Sequence, residues 1–202
     1  MADGGSKPEG IEAITSFHAM TECTVEHWRV IRESSLPFKQ ALADRVLAQM
    51  AMLRNNFDGY SVDRLEHSLQ TASRAFRDGR DEEYVVCALL HDIGDLLGPY
   101  NHAEIGAAIL KPFVSERNHW MLDHHGIFQG YYFFHHLGLD RDLREQFRGH
   151  PDFEYTAQFC HQYDQNAFDP AYESMPLEAF EPMLRRLLAE PKRSIYKRPT
   201  AE

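Results

Sequence analysis

Histidine is the residue type in this sequence that most clearly suggests chemistry. The chain has 12 histidines, and ten of them lie between His67 and His161. His91 and Asp92 directly follow the apolar run of residues 85–90, which predicts a buried helix. A carboxylate beside such a helix is costly unless it is paired or binds a cation. The pair therefore indicates a metal site. The alternative is a pair at a helix end that faces solvent.

Asp164 indicates a metal site independently. It follows residues 153, 157 and 160 at spacings of four, three and four, so one helix would place its carboxylate on the apolar face. No Lys or Arg shares that face, and a metal ion would balance the charge. His67 lies nearly opposite the apolar stripe of its predicted helix, so only a helix packed on both faces would bury it. His102 begins its predicted helix, a common position for a ligand near a loop.

The elements that must position these residues are all predicted to be helical. Almost nothing alternates with period two, so no sheet is expected. Pro37, Ser61, Asn101 and Pro182 mark helix starts, and Pro99 marks a stop. Helices are expected over residues 23–34, 38–55, 61–76, 81–97, 101–113, 116–136, 141–147, 153–168 and 182–188. The sequence predicts an all-α bundle with short connections.

Length and composition fit an ordinary globular protein. The 202 residues predict a flexible arm over residues 1–20, a single domain over 21–190 and a basic tail over 191–202. No apolar run reaches about 18 residues, and the N-terminal residues show no signal pattern, so a cytoplasmic protein is expected. Three cysteines without a CxxC pair fit a reducing compartment.

Net charge limits the partners. The formal charge is −10, and such a surface repels nucleic acid and anionic membranes. Neither is expected as a partner. A small molecule that carries phosphorus would need a local basic patch.

The order of the histidines and aspartates resembles that of a known family. His67, His91-Asp92, His102, His124-His125 and Asp164 follow the H…HD…H…H…D pattern of HD-domain metalloproteins, over about residues 60–170. The phrases HHGIFQGYYFFHHLGLDRD and FCHQYDQNAFDP are most similar to the mixed-valent diiron oxygenases of this group that cleave C–P bonds. The resemblance implies an HD-domain helical bundle.

The resemblance also implies a metal centre and a reaction. Two iron ions, Fe(II) and Fe(III), would be held by the side chains of His67, His91, Asp92, His102, His125 and Asp164. Asp92 would bridge the ions and is the implied catalytic residue. His125 is favoured over His124 as the metal ligand. His124 would then lie outside the ligand shell or contact the substrate. The enzyme would use O₂ to convert a 1-hydroxy-2-(trimethylamino)ethylphosphonate-type substrate to glycine betaine and phosphate, after a separate hydroxylase.

Substrate contacts are implied for Tyr60, Asp95, Gln129, Arg141 and Arg144. Asp95 and Gln129 replace a His and a Lys of the primary-amine relatives. A carboxylate favours an ammonium group, and guanidinium forks suit a phosphonate. The alternatives are a solvated helix face for the two arginines and an ordinary loop tyrosine. The aromatic run of residues 131–134 is either core or a wall for a quaternary ammonium.

Two other functions compete with the oxygenase. An HD-domain phosphohydrolase acting on a nucleotide or phosphoester needs only H…HD…D, so His102 and His125 would be surplus. A non-catalytic, metal-stabilised sensing module is the second alternative, and the lack of an output domain disfavours it.

Overall fold

The structure, a computed structural model, describes residues 17–197. Residues 1–16 of the predicted arm and 198–202 of the predicted tail lie outside the described residues. The chain falls into two compact units, divided between Leu42 and Ala43. The predicted domain boundaries stay a prediction.

The first unit contains a 3₁₀ helix, Met20–Glu22, and helix α1, Val25–Gln40. Thr24 caps α1: its hydroxyl accepts from the His27 backbone N–H at 3.2 Å, and His27 Nδ1 accepts from the Thr24 N–H at 3.3 Å. This reciprocal pair satisfies two amides that a helix start leaves free. Pro37 lies inside α1. The predicted helix start at Pro37 is therefore wrong.

The other long helices belong to the second unit, although Leu42, the first residue of the first of them, still falls in the first unit. They are α2 (Leu42–Ala51), α3 (Arg64–Arg77), α4 (Glu82–Leu90), α5 (His102–Leu110), α6 (Glu116–Gln129), α7 (Phe153–Gln162) and α8 (Leu177–Leu188). All residues from Tyr84 to Leu90 are buried, and α4 packs against α3, α6 and α8. In residues 17–197 every regular element is helical, which confirms the predicted fold class. None of these helices is long and apolar enough to cross a bilayer.

Helix ends differ from the predicted ones where local hydrogen bonds decide them. Asp63, not Ser61, caps α3, because its carboxylate accepts from the Glu66 N–H at 2.8 Å. The Ser61 hydroxyl donates to the Phe168 carbonyl instead. The α6 helix continues through Gly126, and α8 begins before Pro182.

Helix α3 is covered on both faces, and this explains the burial of His67. One face packs on α4, and the segment 167–175 lies along the other. Gln70 donates to the Asp169 carbonyl at 2.7 Å, and the Ser73 hydroxyl accepts from the Met175 N–H at 2.8 Å. His67 is consequently only 6% exposed.

Candidate metal centre

The fold brings the six predicted metal ligands together from different elements. Helix α3 carries His67, the turn after α4 carries His91 and Asp92, and α5 begins with His102. Helix α6 carries His125, and Asp164 begins the 3₁₀ helix Asp164–Asn166. Five of the six residues are buried, and His102 is partly exposed.

Asp92 contacts two different pairs of histidines with its two oxygens. Its Oδ2 lies 3.4 Å from His67 Nε2 and 3.3 Å from His91 Nε2. Its Oδ1 lies 3.3 Å from His102 Nε2 and 3.2 Å from His125 Nε2. The carboxylate therefore stands between two sets of nitrogen ligands.

The ligand atoms form two compact groups. His67, His91 and Asp164 offer atoms within 4.8 Å of one another, and so do His91, Asp92 and His125. Asp164 Oδ1 lies 3.2 Å from His67 Nε2 and 3.7 Å from His91 Nε2. His102 is outside these two groups, although it contacts the same Asp92 oxygen as His125.

Each histidine is oriented by a partner behind its ring. The Nδ1 atoms of His67, His91 and His125 lie 3.0, 2.8 and 2.7 Å from backbone carbonyl oxygens. His102 Nδ1 lies 3.3 Å from Asp95 Oδ1. Because the carbonyl oxygens and Asp95 engage Nδ1, Nε2 is the nitrogen that each ring offers to the centre, as in metal-binding histidines.

The two central carboxylates are held ionised. Burial would raise the pKa of Asp164, but hydrogen bonds from His67 and His91 lower its pKa below the usual value. Burial likewise opposes ionisation of Asp92, yet the neighbouring His91 charge and the His125 hydrogen bond keep its pKa well below the usual range. Ionised carboxylates are the form that binds a metal ion.

The donor set fits a pair of metal ions. Four imidazoles and two carboxylates without a thiolate suit iron, manganese or zinc. A carboxylate with one oxygen on each side suits a bridge between two ions. The residues present therefore fit the dinuclear site that the resemblance implies.

His124 lies apart from this centre. Its ring stacks on Trp120 at a centroid distance of 4.2 Å, and its Nδ1 lies 3.0 Å from the Trp120 carbonyl oxygen. The structure thus places His125, and not His124, against Asp92.

A cavity of 490 Å³ opens onto the metal centre. Three predicted substrate-binding residues line it, namely Tyr60, Asp95 and Gln129. The Tyr60 ring stacks on Phe168 at 5.3 Å, and Phe168 stacks on His67 at 4.5 Å. The Phe168 ring therefore lies between the Tyr60 ring and the predicted metal ligand His67.

Asp95 and Gln129 both contact residues of the metal centre. Asp95 faces His102 and forms an ion pair with Arg64, so its carboxylate already has two partners. Burial and the negative charge of Asp92 raise the pKa of Asp95. Gln129 Nε2 donates to Asp164 at 3.0 Å, whereas its buried Oε1 has no hydrogen-bond partner among the described residues.

Arg141 and Arg144 are not brought to this cavity. Their guanidinium carbons lie 4.2 and 3.7 Å from the centroid of the Tyr131 ring. Both groups lie within cation–π distance of that ring. Neither arginine lines the cavity, so the structure does not assemble the expected phosphonate clamp there.

Arg64 was not among the predicted site residues, yet it is the one Lys or Arg of residues 17–197 that lines this cavity. Its Nη2 lies 2.9 Å from Asp58 Oδ2, and its Nη1 contacts Asp95. Arg64 lies three residues before His67, so the two side chains share a helix face. This spacing could have indicated that Arg64 lies near the metal centre. Tyr132, Phe133 and Phe168 also line the cavity, and no Lys or Arg in residues 17–197 stacks on their rings.

Comparison with known proteins gives a family for this fold and centre. The family model described as HD domain matches residues 64–172, more than half of the chain, and this range includes all six ligands. A search of curated proteins found no match. The HD match and the His and Asp cluster together support a metal-dependent enzyme.

Proposed function

The chain belongs to the HD-domain family, and on that premise we propose that it is a diiron oxygenase that cleaves the C–P bond of a 1-hydroxyphosphonate. The observation that carries the proposal is the two-sided contact of Asp92 with four histidines. A simple HD phosphohydrolase needs only the histidines at Asp92 Oδ2, which are His67 and His91. The second pair, His102 and His125, is explained by a second ion.

The proposed reaction balances with O₂ as the oxidant. A 1-hydroxyphosphonate, R–CH(OH)–PO₃²⁻, and O₂ give R–COO⁻, HPO₄²⁻ and a proton. The iron pair, when bound, supplies the electron transfer that activates O₂. For the trimethylammonium substrate the acid is glycine betaine. A separate hydroxylase would have to introduce the C1 hydroxyl.

Arg64 is proposed to hold the phosphonate. Among the described residues it is the one Lys or Arg in the cavity lining, and a guanidinium binds such an oxyanion with paired hydrogen bonds. Its partner Asp58 has a side chain that is 54% exposed. An entering phosphonate can therefore replace Asp58 while Asp95 keeps its own contact with Arg64.

The aromatic lining is proposed to receive the quaternary ammonium. Tyr131, outside the cavity lining, is covered by two guanidinium groups, whereas the rings of Tyr132 and Phe133 carry no Lys or Arg among the described residues. The Phe168 ring is not free in this way, because Tyr60 and His67 stack on it. A desolvated cation over an aromatic face is worth about 0.5–2 kcal/mol. These free faces favour a methylated ammonium, which has no hydrogen-bond donors to satisfy.

Gln129 and Asp95 are proposed to have different roles. The buried Gln129 Oε1 lacks a donor, and the C1 hydroxyl of the substrate would supply one. Asp95 orients His102 and Arg64, so it acts through them on the ligand shell and the phosphonate.

The test combines metal analysis with product analysis. The protein is expressed with iron supplementation, and its metal content and EPR spectrum are measured. Two irons per chain, a coupled Fe(II)/Fe(III) signal and O₂-dependent release of phosphate from the trimethylammonium 1-hydroxyphosphonate are expected. Nucleotide hydrolysis that needs no O₂ would instead establish a phosphohydrolase. Bound metal without turnover of either substrate would favour a sensing module.

A further inference from the structure

A second cavity, of 550 Å³, lies apart from the predicted metal ligands. Most of its lining side chains are exposed and polar, and they include Arg77 and His161, whereas Arg74 is partly buried. None of the residues that line it also lines the cavity at the metal centre.

Two arginines of α3 face this cavity without a carboxylate partner in residues 17–197. They are three residues apart, and their guanidinium carbons lie 4.0 and 5.0 Å from the centroid of the Tyr172 ring. Arg74 Nε is buried and has no hydrogen-bond acceptor there, and Arg77 donates to the Glu173 carbonyl at 2.6 Å. Arg185 differs, because it pairs with two carboxylates.

The local charge is positive on a chain whose net charge is −10. Within the described part of the chain, Asp78 is the one carboxylate in the lining, and it accepts a hydrogen bond from the Tyr163 hydroxyl at 2.5 Å. Arginines in the last turn of α3 also offset the helix dipole. Offsetting the dipole does not require both guanidinium groups to line one cavity, so it does not account for this arrangement.

We propose that this second cavity binds a phosphate group between the guanidinium groups of Arg74 and Arg77. Positions three apart on a helix share a face, so both can reach one ligand. The planar guanidinium fork matches the oxygens of a tetrahedral anion. The Nη groups of both arginines would make these contacts, since no carboxylate in residues 17–197 pairs with either guanidinium group.

Isothermal titration calorimetry with inorganic phosphate and, separately, with AMP tests the proposal. Arg74→Gln and Arg77→Gln should each weaken binding by about tenfold or more, since each removes a charge-assisted hydrogen bond. Arg185→Gln, a matched control on α8, should leave it unchanged. The tighter-binding probe shows whether free phosphate or a phosphomonoester is preferred.

Two results would overturn the proposal. One is the absence of saturable binding of both probes to the wild-type protein. The other is binding that survives Arg74→Gln and Arg77→Gln, or that falls equally in Arg185→Gln. Phosphate held at the metal centre would survive both cavity substitutions, so their selective loss locates the site. Circular dichroism checks folding, and Arg77, which is exposed, provides a variant that spares the core.

Discussion

Asp92 is the residue on which both halves of the metal centre depend. Each of its oxygens contacts a different pair of histidines. In Asp92→Asn one side of the bridge becomes an amide NH₂, which cannot bind a cation. We expect loss of both ions. The metal affinity should fall by more than the about 10–100-fold that is typical when a residue hydrogen-bonded to a metal ligand is replaced. Elemental analysis measures it, with Asp123→Asn as the control. Two ions per chain in Asp92→Asn would contradict the bridge.

His124 and His125 provide a matched pair of neighbours for the ligand assignment. His125 contacts Asp92, whereas His124 stacks on Trp120. We expect His125→Ala to lose at least one ion per chain and the activity with it. His124→Ala should keep its metal content and lose only packing. Elemental analysis of the two purified variants decides. Equal metal loss would mean that the contact of His125 with Asp92 does not reflect coordination.

Individual ligands could be predicted only where the local pattern revealed them. Asp164 was found because a carboxylate on an apolar helix face needs a cation. His67 could not be placed by periodicity, because the second face of α3 is covered by a segment about 100 residues away in sequence. Arg64 was missed because its partners, Asp58 and Asp95, come from a loop and from the turn after α4.

At the scale of elements, the close approach of α5 to the turn after α4 positions His102. A Cβ at Gly94 would lie 2.3 Å from the His102 carbonyl oxygen and 2.8 Å from Ile105 Cβ. Backbone atoms cannot move aside cheaply, so glycine is required at this contact. The start of α5, and with it His102, is thus fixed relative to His91 and Asp92.

Gly94→Ala should therefore lower both stability and metal binding. Overpacking of this kind costs about 1–3 kcal/mol, and the forced shift of α5 moves His102 away from Asp92. Gly149→Ala is the control, because a Cβ there would meet nothing within 4 Å. Urea unfolding and elemental analysis measure the two effects. A stable Gly94→Ala protein with unchanged metal content would refute the proposed role of this contact.

The helices themselves were predictable, and their ends were not. Apolar spacing predicts that α3 and α7 exist, since a core face leaves a helical period in the sequence. The continuous apolar run of residues 85–90 predicts α4 as a buried helix. The helix starts predicted at Pro37 and Pro182 are wrong, because each proline lies inside a helix. The cap of α3 was misplaced by two residues, because Ser61 and Asp63 both suit the position and only the fold shows that Ser61 bonds elsewhere.

At the scale of the whole molecule, Glu83 joins three separate parts of the chain. It lies in the first turn of α4, and its Oε1 accepts from the Ser115 N–H and from Asn118 Nδ2, each at 2.7 Å. Its Oε2 pairs with Lys192, in the predicted tail. Burial would raise the pKa of Glu83, but the hydrogen bonds from Lys192, Ser115 and Asn118 outweigh burial and lower its pKa to about 2.

Glu83 should therefore contribute stability that acid removes. Because its folded pKa lies below the ordinary value of 4.5, the contribution is complete above pH 4.5 and is lost as the pH falls toward about 2. At neutral pH, Glu83→Gln should lower the free energy of unfolding by about 1–3 kcal/mol. Glu82→Gln should cost at most about 1 kcal/mol, because its pair with Arg186 is exposed. Urea unfolding at several pH values should show the wild type and Glu83→Gln converging in acid, since protonation then discharges the wild-type carboxylate. A gap that stays constant down to pH 2 would show that the charge of Glu83 does not stabilise the fold.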